Sequence, residues 1–191
     1  MPTHGAIARG IVIKEFNEEV LYATDQVVKV GREELDLLKE RAKNNKRHIM
    51  RICAHPNTED TLHEMFIAIQ QGAYIRPHRH LNKSESFHVI EGTVDVVLFN
   101  DNGSVTQINR VADLASGGTF YHRVSDPFYH TLLVRSEYLV FHEITNGPFK
   151  QEHTEYAPWA PTERDVARVR AYYSELSKSV DRFVSFGEIP A

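Results

Sequence analysis

Two histidines one residue apart, His78 and His80, and a glutamate, Glu85, stand in the stretch GAYIRPHRHLNKSESFHVIEG (72–92). On a β-strand alternate side chains share a face, so His78 and His80 project together while Arg79 points away. Neutral imidazoles and a carboxylate oxygen suit borderline divalent transition metals, here iron, manganese, zinc or nickel. Glu85 follows a four-residue connection, Leu81 to Ser84, and a strand folding back there returns it to the same concave face. His88 has the opposite parity to Glu85 and falls outside the set. A fourth ligand must come from a distant strand. His130, in FYHTLLV after the turn-like VSDP, is the best placed, and His122 in GGTFYHR competes with it. Three imidazoles and one carboxylate leave a divalent ion with a net charge of about +1, and an octahedral ion would keep open positions. That suits catalysis; structural zinc sites are closed and favour thiolates.

Other residues are candidates for a pocket around such an ion. Tyr74 and Arg76 share strand parity with His78, and Arg76 has the planar fork that grips a carboxylate or phosphate. Lys83 lies in the connection between ligands, and Arg51 and His55 sit in RICAHP. Glu143 or its neighbour His142 could serve as a general base. His63 and His88 read as structural, and Trp159 in APWAP as an anchor for the C-terminal tail.

The elements that must position these side chains are mostly strands. VLYATDQVVKV and GIVIKEF are short β-type runs in the first thirty residues. REELDLLKERAKNNK (32–46) is an amphipathic helix with Leu35, Leu38 and Ala42 on one stripe. Strands are then predicted over 63–70, 86–90, 93–100, 104–111, 129–135 and 137–144, separated by Glu91-Gly92, Asp101-Asn102-Gly103, Gly117-Gly118 and Asn146-Gly147-Pro148. Many short strands without intervening helices mean a mainly β sandwich or small barrel. A second helix is predicted from about Thr162 to Lys178, capped by Thr162 with Asp165 three residues on. Three regions result: an N-terminal extension (1–47), a barrel (48–150) and a tail with a helix (151–191). An H-x-H pair also opens amidohydrolase barrels, but that fold takes ~250 residues with alternating helices.

Length and composition frame these readings. The chain has 191 residues, 41% hydrophobic and 25% charged, with a net charge of −4. That supplies one substantial core and no general attraction for nucleic acid or an anionic membrane. No apolar run reaches the ~18 residues of a membrane span, and MPTHGAIARG carries no signal-peptide core. The single cysteine, Cys53, excludes an intrachain disulfide. A cytoplasmic location is expected.

The spacing Gly72, five residues, His78-x-His80, four residues, Glu85, six residues, Gly92 resembles the first cupin motif without a departure. In the second cupin motif a Pro-x-Gly turn precedes the last histidine, and here Ser125 and Pro127 take those places before His130. More narrowly, RICAHP, HEMFIAI, YIRPHRHLNKSESFHVIEGTVDVVLFNDNG, YHTLLV, NGPF and APWAPTE resemble the WbuC-type cupin-fold metalloproteins, often associated with bacterial surface-polysaccharide gene clusters. The resemblance spans roughly residues 48–165. It implies a single cupin double-stranded β-helix, or jelly-roll, with an N-terminal and a C-terminal helix. It also implies one divalent metal on His78, His80, Glu85 and His130, and a small-molecule, carbohydrate-like substrate. Homodimerisation is expected from the N-terminal strands adding to a partner's sheet edge. Three functions share these ligands: a Lewis-acid isomerase or epimerase of sugars or sugar nucleotides, an iron-dependent dioxygenase, and a non-enzymatic small-molecule-binding cupin.

Overall fold

The computed structural model describes residues 7–8 and 11–186; most of MPTHGAIARG lies outside them. Short β-type runs and turn residues fold as β1 (Ile7–Ala8), β2 (Ile11–Asn17), β3 (Val20–Ala23), helix α1 (Arg32–Asn44), β4 (Ile49–Cys53) and β5 (Leu62–Gln70). Next come β6 (His78–His80), β7 (Glu85–Glu91), β8 (Thr93–Phe99), β9 (Val105–Ala112), β10 (Tyr121–Val124) and β11 (Tyr129–Val134). β12 (Tyr138–Asn146), β13 (Thr154–Tyr156) and helix α2 (Val166–Phe186) complete the chain. They form an eight-stranded sheet, β1-β2-β3-β4-β5-β12-β7-β10, and a five-stranded sheet, β13-β6-β11-β8-β9. All pairings are antiparallel except β3 with β4. The two sheets face each other as an open jelly-roll.

Strand alternation explains the layers. Ile67, Phe87 and Phe141 of the larger sheet meet Val94, Val96, Leu98 and Val134 of the smaller one in the central core. Each such buried side chain contributes about 1.5–3 kcal/mol. The opposite face of the larger sheet, with Met50, Ile52, Ala68 and Val140, is covered by Leu35, Leu38 and Ala42 of α1. The outer face of the smaller sheet, with Val97, Phe99 and Leu133, is covered by Leu176 and Val180 of α2. β8 is therefore buried on both faces, which is why TVDVVLF is apolar almost throughout. Trp159 packs on Phe99 at 5.0 Å and on Tyr129 at 6.0 Å, anchoring the tail as its sequence context suggests.

Two details fix the frame. Gly92, between β7 and β8, has φ +95°, and a Cβ there would collide with the Tyr138 carbonyl and the Ser136 hydroxyl; only glycine fits this turn. Asp95, fully buried on the outer face of β8, accepts two hydrogen bonds from Arg110 and one from Arg135. Arg135 continues to Ser177 and Asp181 on α2.

The structure corrects three elements. α2 starts at Val166 rather than at Thr162, because the Asp165 carboxylate accepts from the Arg168 backbone N–H and takes the N-cap role. A strand absent from those predicted runs through GGTFYHR: β10 pairs along β7, with His122 opposite Phe87. β13 joins β6 in the smaller sheet, although its residues read from sequence as tail. No helix among the described residues is long and apolar enough to cross a membrane.

Candidate metal centre

β6 is only three residues long, and its neighbours hold it. His130 of β11 stands directly opposite His78, while Thr154 and Tyr156 of β13 stand opposite His80 and His78. Arg79 points outward, as alternation requires. There it bonds Glu155 at 2.9 Å and Asp101 at 3.1 Å and lies over the Tyr129 ring at 4.5 Å. These contacts clamp the strand from behind.

On the inner side three imidazoles converge. One ring nitrogen from each of His78, His80 and His130 lies within 4.8 Å of the others, and the ring centroids are 4.7–5.6 Å apart. The His78 Nδ1–H donates to the Arg76 carbonyl at 2.9 Å, and the His130 Nδ1–H to the Phe128 carbonyl at 3.0 Å. A carbonyl only accepts, so these bonds place the proton on Nδ1 and the lone pair on Nε2. His80 Nδ1 pairs with the Thr154 hydroxyl at 3.4 Å. Glu85 opens β7 and places Oε2 2.8 Å from His80 Nε2 and Oε1 3.8 Å from His130 Nε2.

The electrostatics match this geometry. Burial, reinforced by the neighbouring His130 and His80 rings, pushes His78 down to about 3. Burial alone would raise the Glu85 carboxyl, but the His80 hydrogen bond and the imidazoles around it outweigh burial and hold it at about 2. A neutral imidazole at His78 and an ionised carboxylate are the protonation states a metal requires. Donor types, ring orientation and outer hydrogen bonds therefore fit a divalent transition ion at His78, His80 and His130, with Glu85 beside them.

A second carboxyl shares this inner face. Register aligns Cys53, Met65, Glu143, Phe87 and His122 across β4, β5, β12, β7 and β10. Thr145, next but one to Glu143, stands opposite Glu85. Burial, and then repulsion from Glu85, pushes the Glu143 carboxyl up to about 8, with Arg51 and Lys83 pulling it partly back. His142 points to the other face, stacked on Phe66 at 4.7 Å and 3.7 Å from Glu64. Of the two candidate bases, only Glu143 faces the site. His88 lies outside as well, edge-on to His142.

His122 lines the inner face beside Phe87 and near Asn109, but it is not one of the three converging imidazoles. Tyr74 and Arg76 do not keep the parity of His78. Residues 73–77 lie outside any strand; the Tyr74 hydroxyl donates to the Pro161 carbonyl and Arg76 donates to the Ala157 carbonyl. Both hold the tail. His55 is buried, bonded through Nδ1 to Glu64 backbone and stacked 4.0 Å from His63. Lys83 lies near Glu85 and Glu143, with Nζ 5.8 Å from the Phe149 ring. Thr154 is the site residue that sequence reading missed; a single threonine beyond the barrel carries no local signal of its contact with His80.

The raised Glu143 has a measurable consequence. Its folded pKa of about 8 exceeds the ~4.3 of an unfolded glutamate, so its contribution to stability is complete below ~4.3 and is lost as pH rises through 8. His78 acts in the opposite sense: below ~6.5 the unfolded imidazole takes a proton that the folded one refuses, so stability falls on acidification. The clean window for Glu143 is therefore roughly pH 6.5 to 8, where metal-free protein is expected to lose about 1.4 kcal/mol per pH unit. Glu143→Gln should abolish that decline, a relative gain of about 2 kcal/mol across the window. Urea midpoints across this range check it; an equal decline in the variant would rule it out.

Likeness to one solved structure, a dioxygenase, supports this fold. A family model described as a domain of unknown function (DUF6016) matches residues 30–111, a stretch that contains His78, His80 and Glu85 and stops before His130. Among the curated proteins the chain has no match. Among solved structures it is similar to a salicylate 1,2-dioxygenase mutant from Pseudoaminobacter salicylatoxidans in complex with gentisate, with 14% identity, 68% of this chain and 37% of that chain covered, and a TM-score of 0.50. It is also similar to a sugar phosphate isomerase from a cupin superfamily from Silicibacter pomeroyi (18% identity, 46% and 52% covered, TM-score 0.36). A third is oxalate decarboxylase from Bacillus subtilis, described by its Mn(II) centres (19% identity, 51% and 24% covered, TM-score 0.41). The chain spans about half the length of the isomerase and about a quarter of the decarboxylase. The expected fold, a mainly β cupin jelly-roll with helices on either side, is the fold of this chain.

Proposed function

We propose that the protein binds one divalent transition metal through His78, His80, Glu85 and His130. On this reading it is an isomerase- or epimerase-type enzyme acting on a sugar or sugar-nucleotide-like small molecule. The observation that carries the reading is the pairing of two carboxyls on one inner face: Glu85 held ionised beside the imidazoles, and Glu143, two residues along β12 from the partner of Glu85, held largely protonated. Carboxyls pushed apart in this way suit separate roles, one as a ligand and one as a proton carrier. The ion, when bound, supplies Lewis-acid polarisation of a substrate oxygen.

The chain's own groups do the rest. The Nδ1 bonds of His78 and His130 keep their rings in one orientation. Glu143, titrating near the working pH, can give and take a proton at its carboxyl oxygen, as isomerisation next to a carbonyl demands. A non-enzymatic cupin has no need of such a group. The WbuC-type resemblance supports a place in surface-polysaccharide metabolism.

The test is deuterium wash-in. Metal-loaded protein is incubated in deuterium oxide with a panel of sugar phosphates and sugar nucleotides, and proton NMR follows exchange at the carbon next to the carbonyl. Exchange is expected with the loaded protein and not after chelation. Iron as the resident metal, with oxygen consumption and no wash-in, would overturn this reading in favour of a dioxygenase.

A further inference from the structure

Among the described residues, Arg51 is an inward-facing cation without a carboxylate partner. Its strand neighbours Ile49 and Cys53 belong to the central core, and Met50 and Ile52 to the cluster under α1, so alternation aims Arg51 into the barrel. Register sets Arg51 opposite Ile67, on the row beside the one that includes Cys53, Met65 and Glu143, and its charge is felt at Tyr22, Cys53 and Glu143. Among the described residues no carboxylate lies within ion-pair distance of Arg51, and its buried Nε has no hydrogen-bond partner. Elsewhere the fold pairs its structural arginines: Arg79 with Glu155, and Arg110 and Arg135 with Asp95. Glu143 shares this inner face, yet among the described residues no ion pair or side-chain hydrogen bond joins it to Arg51. Lys83, near Glu85 and Glu143, adds a second cation.

We propose that the ligand of the barrel is a small organic anion whose carboxylate or phosphate group pairs with Arg51 while the rest of the molecule faces His78, His80, Glu85 and His130. This deepens the metal-site reading above and rests on it. A guanidinium offers five donors in a planar fork that matches either oxyanion, and Arg51, partly buried with its Nε enclosed and unpaired, gains the acceptor it lacks when a ligand supplies one. On this assignment the substrate is an acidic sugar derivative, a sugar acid or a sugar phosphate, rather than a neutral sugar.

Glycolate and inorganic phosphate are the probes, titrated calorimetrically into metal-loaded wild type, Arg51→Met and Arg51→Lys, with metal content measured on each. Wild type should bind at least one probe below roughly 10 mM, and Arg51→Met should weaken it about tenfold or more. Metal content should stay at the wild-type level. Binding of glycolate alone identifies a carboxylate ligand, and of phosphate alone a phosphoryl ligand. Should Arg51→Met fail to fold, Arg51→Lys carries the test: it keeps the charge, loses the fork and is expected to weaken binding about threefold or more. Absence of binding by wild type, or unchanged affinity in the folded variants, overturns the proposal. Failure of the metal reading is seen separately, as metal retained after removal of His78 and His80.

Discussion

Replacing His78 and His80 together by alanine is expected to strip the protein of its metal while leaving the jelly-roll intact. Each contributes one of the three ring nitrogens that converge within 4.8 Å, and no other imidazole among the described residues joins that cluster. Loss of an outer hydrogen-bond partner alone typically costs 10–100-fold in metal affinity, so loss of two ligands should cost on the order of 10⁴-fold or more. The fold should tolerate the change. β6 is clamped from behind through Arg79, and replacing a neutral His78 leaves no unpaired charge behind, so each replacement should stay within the ~0.5–3 kcal/mol typical of point mutations. Metal per chain, measured on protein purified without chelator or nickel resin, should drop to background, with circular dichroism unchanged. Thr154→Val, which removes the hydroxyl beside His80 Nδ1, should weaken binding by about tenfold. Stoichiometric metal in the double variant would sink the site.

The convergence of these side chains was legible because their spacing is local. The parity of His78 and His80, the short return to Glu85 and the turn at Gly92 need only a few neighbouring residues. Parity failed as soon as it was extended beyond the strand. β6 begins at His78 directly after Pro77, which has no N–H for a ladder, so Tyr74 and Arg76 are free to turn toward the tail. The choice between Glu143 and His142 was likewise not local. It depends on which face of β12 meets the core, and that is set by pairing with β5 on one side and β7 on the other. Thr154 reaches His80 across 74 residues of sequence, a contact that no periodicity encodes. The same holds for His122, which pairing with β7 opposite Phe87 draws into a strand that its own glycine-rich context does not announce.

Asp95→Ala should do the reverse of the histidine replacement, weakening the fold and sparing the metal. Asp95 is fully buried between Arg110 at 2.8 and 3.0 Å and Arg135 at 2.6 Å, and Arg135 carries the tie onward to Asp181 at 3.1 Å. One carboxylate thus joins β8, β9, the end of β11 and α2. Removing one partner of a buried ion pair typically costs 3–5 kcal/mol, because the remaining charge stays partly desolvated. Arg110 is half exposed and can turn to water, but Arg135 is only 21% exposed and keeps Asp181 as its one remaining carboxylate. The expected loss is therefore about 3 kcal/mol, the low end of that range. It should appear as a lower urea midpoint at neutral pH with little change in slope. Asp95 faces away from His78, His80 and His130, on the side of β8 that α2 covers, so metal per folded chain should match wild type. A loss below about 1 kcal/mol would show that the tail docks through Leu176 and Val180 alone. Loss of metal with the fold intact would show instead that the outer face of β8 and the inner site are coupled through the strand.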